Sequence, residues 1–281
     1  MIQTVRKAWA IPELRKKIIF TLLILLIYRI GNAISVPYVN VAELEATLNS
    51  MGTTYLGLLN VMSGGAFAMA TVFALGIQPY INSSIIIQLL TVAIPPLERL
   101  ARDGGEEGKK KIQAITRYAT VAIALLQAFG YYMMMQSYNL LTTTGVWPAI
   151  VIIVSFVAGA SFLMWLGEQV NEFGVGNGIS MILFAGIISR VPSAVSSMIT
   201  GVRIWSGVRS GTLTVDYVES AFNYTTEQAE AYLNQALAPW VIPLILIGVL
   251  ALVVLIVFVS DAERRIPVQY AKRQVGRKMY G

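Results

Sequence analysis

The chain has 281 residues, 56% of them hydrophobic and only 13% charged, with a net charge of +6. A soluble domain carries about twice that share of charge, so the composition is that of a polytopic membrane protein. Cysteine and histidine are both absent, which removes disulfides, thiolate chemistry, histidine bases and most transition-metal sites; no G-x-S-x-G or Walker stretch occurs, and no enzyme activity, cofactor or metal is expected.

Window hydropathy predicts six spans, at 18–34, 74–94, 112–136, 146–166, 179–199 and 239–260, near the roughly 20 residues that a bilayer requires. The first begins behind Arg15-Lys16-Lys17 and resembles a signal peptide. Ser35-Val36-Pro37 follows it in place of a small-residue cleavage site, so it reads as a retained span. Arg29 is the one charge well inside a span. Its place in the last third fits snorkelling to the headgroups, with an ion-pathway role as the alternative.

Between Glu45 and Glu98 there is no charge, yet Gly64-Gly65, Gln78-Pro79 and Asn82 interrupt the run. Breakers at membrane depth are tolerated only where backbone is buried in protein or faces a wet cavity. The pattern therefore predicts a short non-spanning half-helix at 56–68, a turn through 64–74 and a true span over 76–94. Ile77 and Ile81 are four apart on one helical face. They either pack or face lipid, or they form a constriction that gates by dewetting.

Small and amide residues recur in the spans that follow: Asn82, Ser83, Ser84, Gln88, Gln127, Gly159, Ala160 and Ser161. Singly each fits close helix packing; together they favour a bundle that encloses something polar. Gly174-Val175-Gly176-Asn177-Gly178 reads as a tight connection before the fifth span. Residues 201–238 form a polar excursion, where Thr225 and Gln228 have capping-box spacing and predict a surface helix over 227–238. After the sixth span, Arg264 to Lys278 holds six basic residues and no acidic ones. That is either a topology signal or a surface for phosphate backbone or an acidic protein.

Of the 21 basic residues, 17 lie before the first span, around the start of the third and after the sixth; Arg190, Arg203 and Arg209 lie on the opposite side. The positive-inside rule puts both ends of the chain in the cytoplasm, and attraction to anionic lipid accounts for much of the basic surplus.

Several stretches together resemble the SecY translocon family. They are Arg29-Ile30-Gly31, Met62-Ser63-Gly64-Gly65 through Phe73-Ala74-Leu75-Gly76-Ile77, and Pro79-Tyr80-Ile81-Asn82-Ser83-Ser84-Ile85-Ile86-Ile87-Gln88-Leu89-Leu90. Arg117-Tyr118, Trp165-Leu166-Gly167-Glu168-Gln169, Gly176-Asn177-Gly178-Ile179-Ser180 and Gln269-Tyr270-Ala271-Lys272-Arg273-Gln274 continue the set in the family's order.

The resemblance implies an all-α polytopic membrane protein with six transmembrane helices plus a short non-spanning plug half-helix, the first five-helix half of the translocon fold plus its sixth helix. Residues 1–200 would form that half, 201–238 an extracytoplasmic loop, 239–260 the sixth span and 261–281 the start of a basic cytoplasmic loop. The plug at 56–68 would include Leu56, Leu59, Met62, Gly64, Gly65 and Phe67. The pore ring would draw on Ile77, Ile81, Ile179 and Leu183, the last a departure from the expected isoleucine. Asn82, Ser83, Gln88 and Gln127 would lie on the lateral-gate wall made by the second and third spans. Lys272, Arg273, Arg277 and Lys278 would dock the ribosome, with possible contact to its RNA, or the SecA motor.

Implied partners are SecE- and SecG-type small subunits, a translocating polypeptide with its signal sequence, and the lipid of a bacterial cytoplasmic membrane. Ser35 departs from a usual proline. The family has ten spans, so a chain ending at Gly281 is expected to be a fragment or partial gene product. The alternative is an ion-coupled secondary transporter, whose broken helices look similar. Its coupling carboxylate is missing, since Glu168 and Asp261 lie at span ends. An intramembrane protease would lack a histidine base.

Overall fold

Pro12 opens the first helix, α1 (Pro12–Gly31), at a position where its missing N–H is no loss. In this computed structural model, residues 11–50, 55–222, 224–262, 273–275 and 278–280 are described. The helices α2 (Val41–Ser50), α3 (Tyr55–Met62), α4 (Gln78–Ala93) and α5 (Pro95–Arg102) follow, then α6 (Gly105–Ser137), α7 (Val146–Phe173) and α8 (Gly178–Ile188). α9 (Val191–Arg209), α10 (Val215–Phe222), α11 (Thr226–Leu233) and α12 (Val241–Ser260) complete the helices. A small antiparallel hairpin, β1 (Arg273–Val275) with β2 (Lys278–Tyr280), pairs Arg273 with Tyr280.

Among the described residues, Gly105–Ser137, Val146–Phe173, Gly178–Arg209 and Val241–Ser260 are long and apolar enough to cross a membrane. α4 and α5 would add a fifth if counted as one span despite the 100° bend between them. The chain is thus a helical, multi-pass membrane protein, with four or five such spans among the described residues beside the six that hydropathy predicted. α1 falls short because Arg15, Lys16, Lys17 and Arg29 lie within it. α4 has 16 residues, about 24 Å at 1.5 Å per residue, below the ~30 Å of the hydrocarbon core. It starts late because Gly76 takes a left-handed turn (φ +58°) and Pro79 opens the helix. The predicted fifth span is interrupted at 189–190, between α8 and α9.

The chain divides into two compact units, 1–192 and 193–281. In the first, α6 packs on α4, α5 and α7, and α7 also packs on α8 and α1. Small residues allow close approach within this unit: Ala124 and Ala128 of α6 are fully buried, and a Cβ on Gly159 of α7 would lie 1.9 Å from the Val72 carbonyl in the segment before α4. One apolar cluster gathers Phe67, Tyr131, Met135, Ile152 and Phe156; another gathers Ile24, Tyr28, Phe73, Ile77, Leu163 and Ile182. The segment after α1 is zipped to two loops by backbone bonds, Val36 N–H to Ala70 O (2.9 Å), Val72 N–H to Ile34 O (2.9 Å) and Asn40 N–H to Leu140 O (2.8 Å).

In the second unit, Thr225 and Gln228 form the capping box that their spacing predicted, and α11 runs from Thr226 to Leu233. α10 is an additional helix before it, and Phe222, Tyr224 and Tyr232 cluster across the two.

Candidate functional site

The uncharged run folds as the breakers predicted, with a shorter helix. α3 ends at Met62, and 63–77 is a series of turns before α4 begins. Gly64 (φ +70°) and Gly65 (φ +94°) adopt backbone conformations that other residues resist. They also permit a close approach: a Cβ on Gly64 would lie 2.8 Å from the Gly186 carbonyl of α8.

This segment carries its own scaffold. Asn60 Oδ1 accepts from Ala68 N–H (3.0 Å), and the Asn60 carbonyl accepts from Gly65 N–H (2.8 Å) and Ser63 Oγ (3.2 Å). Ser63 Oγ accepts from Phe67 N–H (3.1 Å). Irregular backbone buried among apolar helices requires such partners, and short polar side chains supply them locally. Asn60 was not singled out from sequence, although an amide in an uncharged helix was a signal that could have found it, and Ser63 was noted only as part of the Met62–Gly65 stretch.

Of the expected plug residues, Gly65 and Phe67 are buried, while Leu56, Leu59, Met62 and Gly64 are half-buried. The Phe67 ring stacks on Tyr131 of α6 with centroids 4.3 Å apart, and Tyr131 Oη donates to the Phe67 carbonyl at 2.5 Å. A cavity of about 340 Å³ opens beside the segment, lined by Leu59, Phe67, Ile77, Gln127, Tyr131 and Leu183 among others.

Ile77, Ile81, Ile179 and Leu183 belong to one apolar cluster. Ile77 precedes α4 and is buried, and both it and Ile179 lie against Gly167 of α7. Ile81, Ile179 and Leu183 are half-buried. Asn177 caps α8 by accepting from Ile179 and Ser180 N–H (3.0 and 3.2 Å), which fixes the start of the helix that carries Ile179.

Of the four expected gate residues, Ser83 is fully buried, and its hydroxyl donates to the Thr116 carbonyl (2.8 Å), joining α4 to α6. Asn82 and Gln127 are half-buried and Gln88 is exposed. Arg29 is exposed in the last turn of α1. In the basic segment, Lys272 and Arg277 lie outside the described residues, whereas Arg273 and Lys278 stand in the two hairpin strands.

A polar cluster lies between α6 and α7. Glu168, 9% exposed, accepts from Arg117 through both oxygens, Nε to Oε1 at 2.9 Å and Nη2 to Oε2 at 2.8 Å, and from Gln113 Nε2 at 3.0 Å. The fork-to-fork geometry holds both planes in register. Arg117 and Glu168 both stood in recognisable stretches, but nothing in sequence paired residues 51 apart.

A family model described as SecY matches residues 71–281. The chain is 38% identical to the protein translocase subunit SecY of Streptomyces scabiei over its whole length, covering 60% of that relative. It is 37% identical to that of Rickettsia felis, over 96% of this chain and 56% of the relative. The chain therefore spans only part of the curated relatives it matches. Among solved structures, one described as the structure of a protein conducting channel aligns with a TM-score of 0.48 and 17% identity, over 73% of this chain and 43% of that one. With most of its residues matched by the family model, the chain belongs to the SecY family.

Proposed function

We propose that this chain supplies one wall of a protein-conducting channel in a bacterial cytoplasmic membrane, with both ends of the chain on the cytoplasmic side. Such a channel passes secretory polypeptides across the bilayer and releases apolar segments sideways into lipid. Residues 56–68 act as its plug, and Ile77, Ile81, Ile179 and Leu183 contribute to an apolar ring that seals around the moving chain. α4 and α6, carrying Asn82, Ser83, Gln88 and Gln127, make one wall of the lateral gate. α1 and α12 complete six crossings, α1 with its charges at the two headgroup layers. SecE- and SecG-type subunits would accompany it. The basic segment with Lys272, Arg273, Arg277 and Lys278 would receive the ribosome or the SecA motor.

The observation that carries this reading is the self-bonded, non-helical stretch 63–77, buried within a bundle of apolar helices immediately before the ring candidates. A backbone kept irregular at that depth needs a function to explain its cost. The transporter alternative would need a carboxylate free to bind its ion. Glu168, the buried acid among the described residues, already has both oxygens occupied by Arg117 and Gln113.

The test is passive leak. Vesicles carrying the channel with 57–67 replaced by a Gly-Ser linker should lose an ion gradient faster than vesicles with the parent channel. Equal retention would contradict the plug assignment.

A further inference from the structure

The plug reading does not say what keeps the segment seated. Its own side-chain polar groups are occupied internally, Asn60 with Ala68 and Ser63 with Asn60 and Phe67. Attachment comes instead from neighbouring side chains that donate into its backbone carbonyls, and it has two ends: Tyr131 of α6 holds the Phe67 carbonyl (2.5 Å), and the Ser63–Gly64 end is held from α1 and α8. On α1, Tyr28 Oη donates to the Ser63 carbonyl at 3.2 Å. Asn32 Nδ2 reaches the same carbonyl at 3.5 Å. On the α8 side, Ser189 Oγ has one proton and a close acceptor in the Gly186 carbonyl (2.6 Å), so its 3.5 Å approach to the Gly64 carbonyl adds little.

Tyr28 is placed for this contact. It is 3% exposed, its ring lies parallel to Phe73 with centroids 6.1 Å apart, and its hydroxyl lies 3.0 Å from where a Cβ on Gly186 would be. Asn32 is 6% exposed, and its Oδ1 is the one buried side-chain polar atom without a partner among the described residues. A long bond from Nδ2 is offset by a stranded acceptor that has left water. The Ser63 carbonyl is thus held by one effective donor and one near break-even donor.

We propose that Tyr28 is a positioning residue for the closed plug, acting as a catch on the Ser63 carbonyl at the α1 end while Tyr131 holds Phe67 at the α6 end. Asn32 is a second donor whose stranded Oδ1 eases release. The plug leaves as a preformed piece, because its internal bonds do not involve the catch. This rests on the plug reading above.

The chain has no cysteine of its own, so an engineered thiol is the one that these 281 residues contribute, and labelling is read on a background of the channel without it. Ala66→Cys places one within the plug, where Ala66 is 1% exposed, and Ala128→Cys places a control in the α6 core, where Ala128 is 0% exposed. Labelling by a membrane-impermeant maleimide is followed in the membrane-embedded channel, with and without an arrested polypeptide. Tyr28→Phe keeps the ring and removes one bond, and should raise the labelling rate of Ala66→Cys roughly three- to tenfold. Asn32→Ala should change it by less than about twofold, since donor and stranded acceptor leave together. Ala128→Cys should stay at its parental rate in both.

A parental rate for Ala66→Cys in Tyr28→Phe, while an arrested polypeptide exposes the same thiol, would overturn the catch. So would an equal rise at Ala128→Cys, which means general loosening, or a larger effect from Asn32→Ala than from Tyr28→Phe. If an arrested polypeptide never exposes Ala66→Cys, the plug reading beneath it fails instead.

Discussion

Removing either partner of the Arg117–Glu168 pair should have unequal consequences, because the two are not equally wet. The Glu168 side chain is 10% exposed and that of Arg117 is 49% exposed. Arg117→Ala strands a buried carboxylate whose remaining partner is Gln113 at 3.0 Å. Breaking a buried pair in this way costs about 3–5 kcal/mol, and the surviving Gln113 bond points to the lower end, about 3 kcal/mol. Glu168→Gln leaves a guanidinium that can turn to water and an amide that still accepts one bond. Its cost should be nearer 1 kcal/mol, that of an ordinary hydrogen-bond loss. The double variant should recover part of the Arg117→Ala loss, because the charge left uncompensated is gone. The assay is equilibrium unfolding of the purified channel in mixed micelles, with the four species compared at one pH. If Glu168→Gln costs as much as Arg117→Ala, or the double variant shows simple additivity, then burial of the carboxylate does not govern this contact.

Two further outcomes are expected. Gly186→Ala would put a Cβ 2.8 Å from the Met62 carbonyl, which should cost the closed arrangement about 1–3 kcal/mol of overpacking and raise resting ion leak; Gly130→Ala, with nothing within 4 Å, should leave leak unchanged. If the basic segment docks the ribosome or the SecA motor as proposed, Lys272→Glu with Arg273→Glu should weaken that binding in a sedimentation assay while membrane insertion proceeds normally; unchanged binding would leave the basic segment as a topology signal alone.

Much of the architecture was legible because the membrane restricts what a backbone can do. Gly64-Gly65 and Gln78-Pro79 marked a non-helical stretch between two helices, and that is where the turns fall. The capping box at Thr225 and Gln228 was equally readable, since its bonds span three residues. Helix ends were less so. Hydropathy tracks apolar content rather than hydrogen bonding, so α6 begins at Gly105, ahead of the predicted 112, and α7 runs on to Phe173. The break at 189–190 lay in plain view, with Arg190 followed closely by Pro192, but an apolar window averages over it. Within the candidate site, the family resemblance named Ile77, Ile81, Ile179 and Leu183 as ring candidates, and the four lie in or against one apolar cluster. The contacts of Tyr28 with Ser63, of Tyr131 with Phe67 and of Arg117 with Glu168 did not, because each joins residues far apart in sequence. Ser83 shows the same limit: its hydroxyl type was noted, while its partner on α6 is a property of packing alone.

The most direct measurement of the central claim uses photo-crosslinking probes, one at a time, at Ile77, Ile81 and Ile179 in the assembled channel with a secretory polypeptide arrested in transit. Matched probes go at exposed positions Leu125, Leu126 and Phe129 of α6 and at Leu246 of α12. Strong crosslinks to the polypeptide from the three isoleucine positions, and weak ones from the exposed helical positions, are the predicted result. Equal yield from both sets would mean that these isoleucines do not line the path of the moving chain.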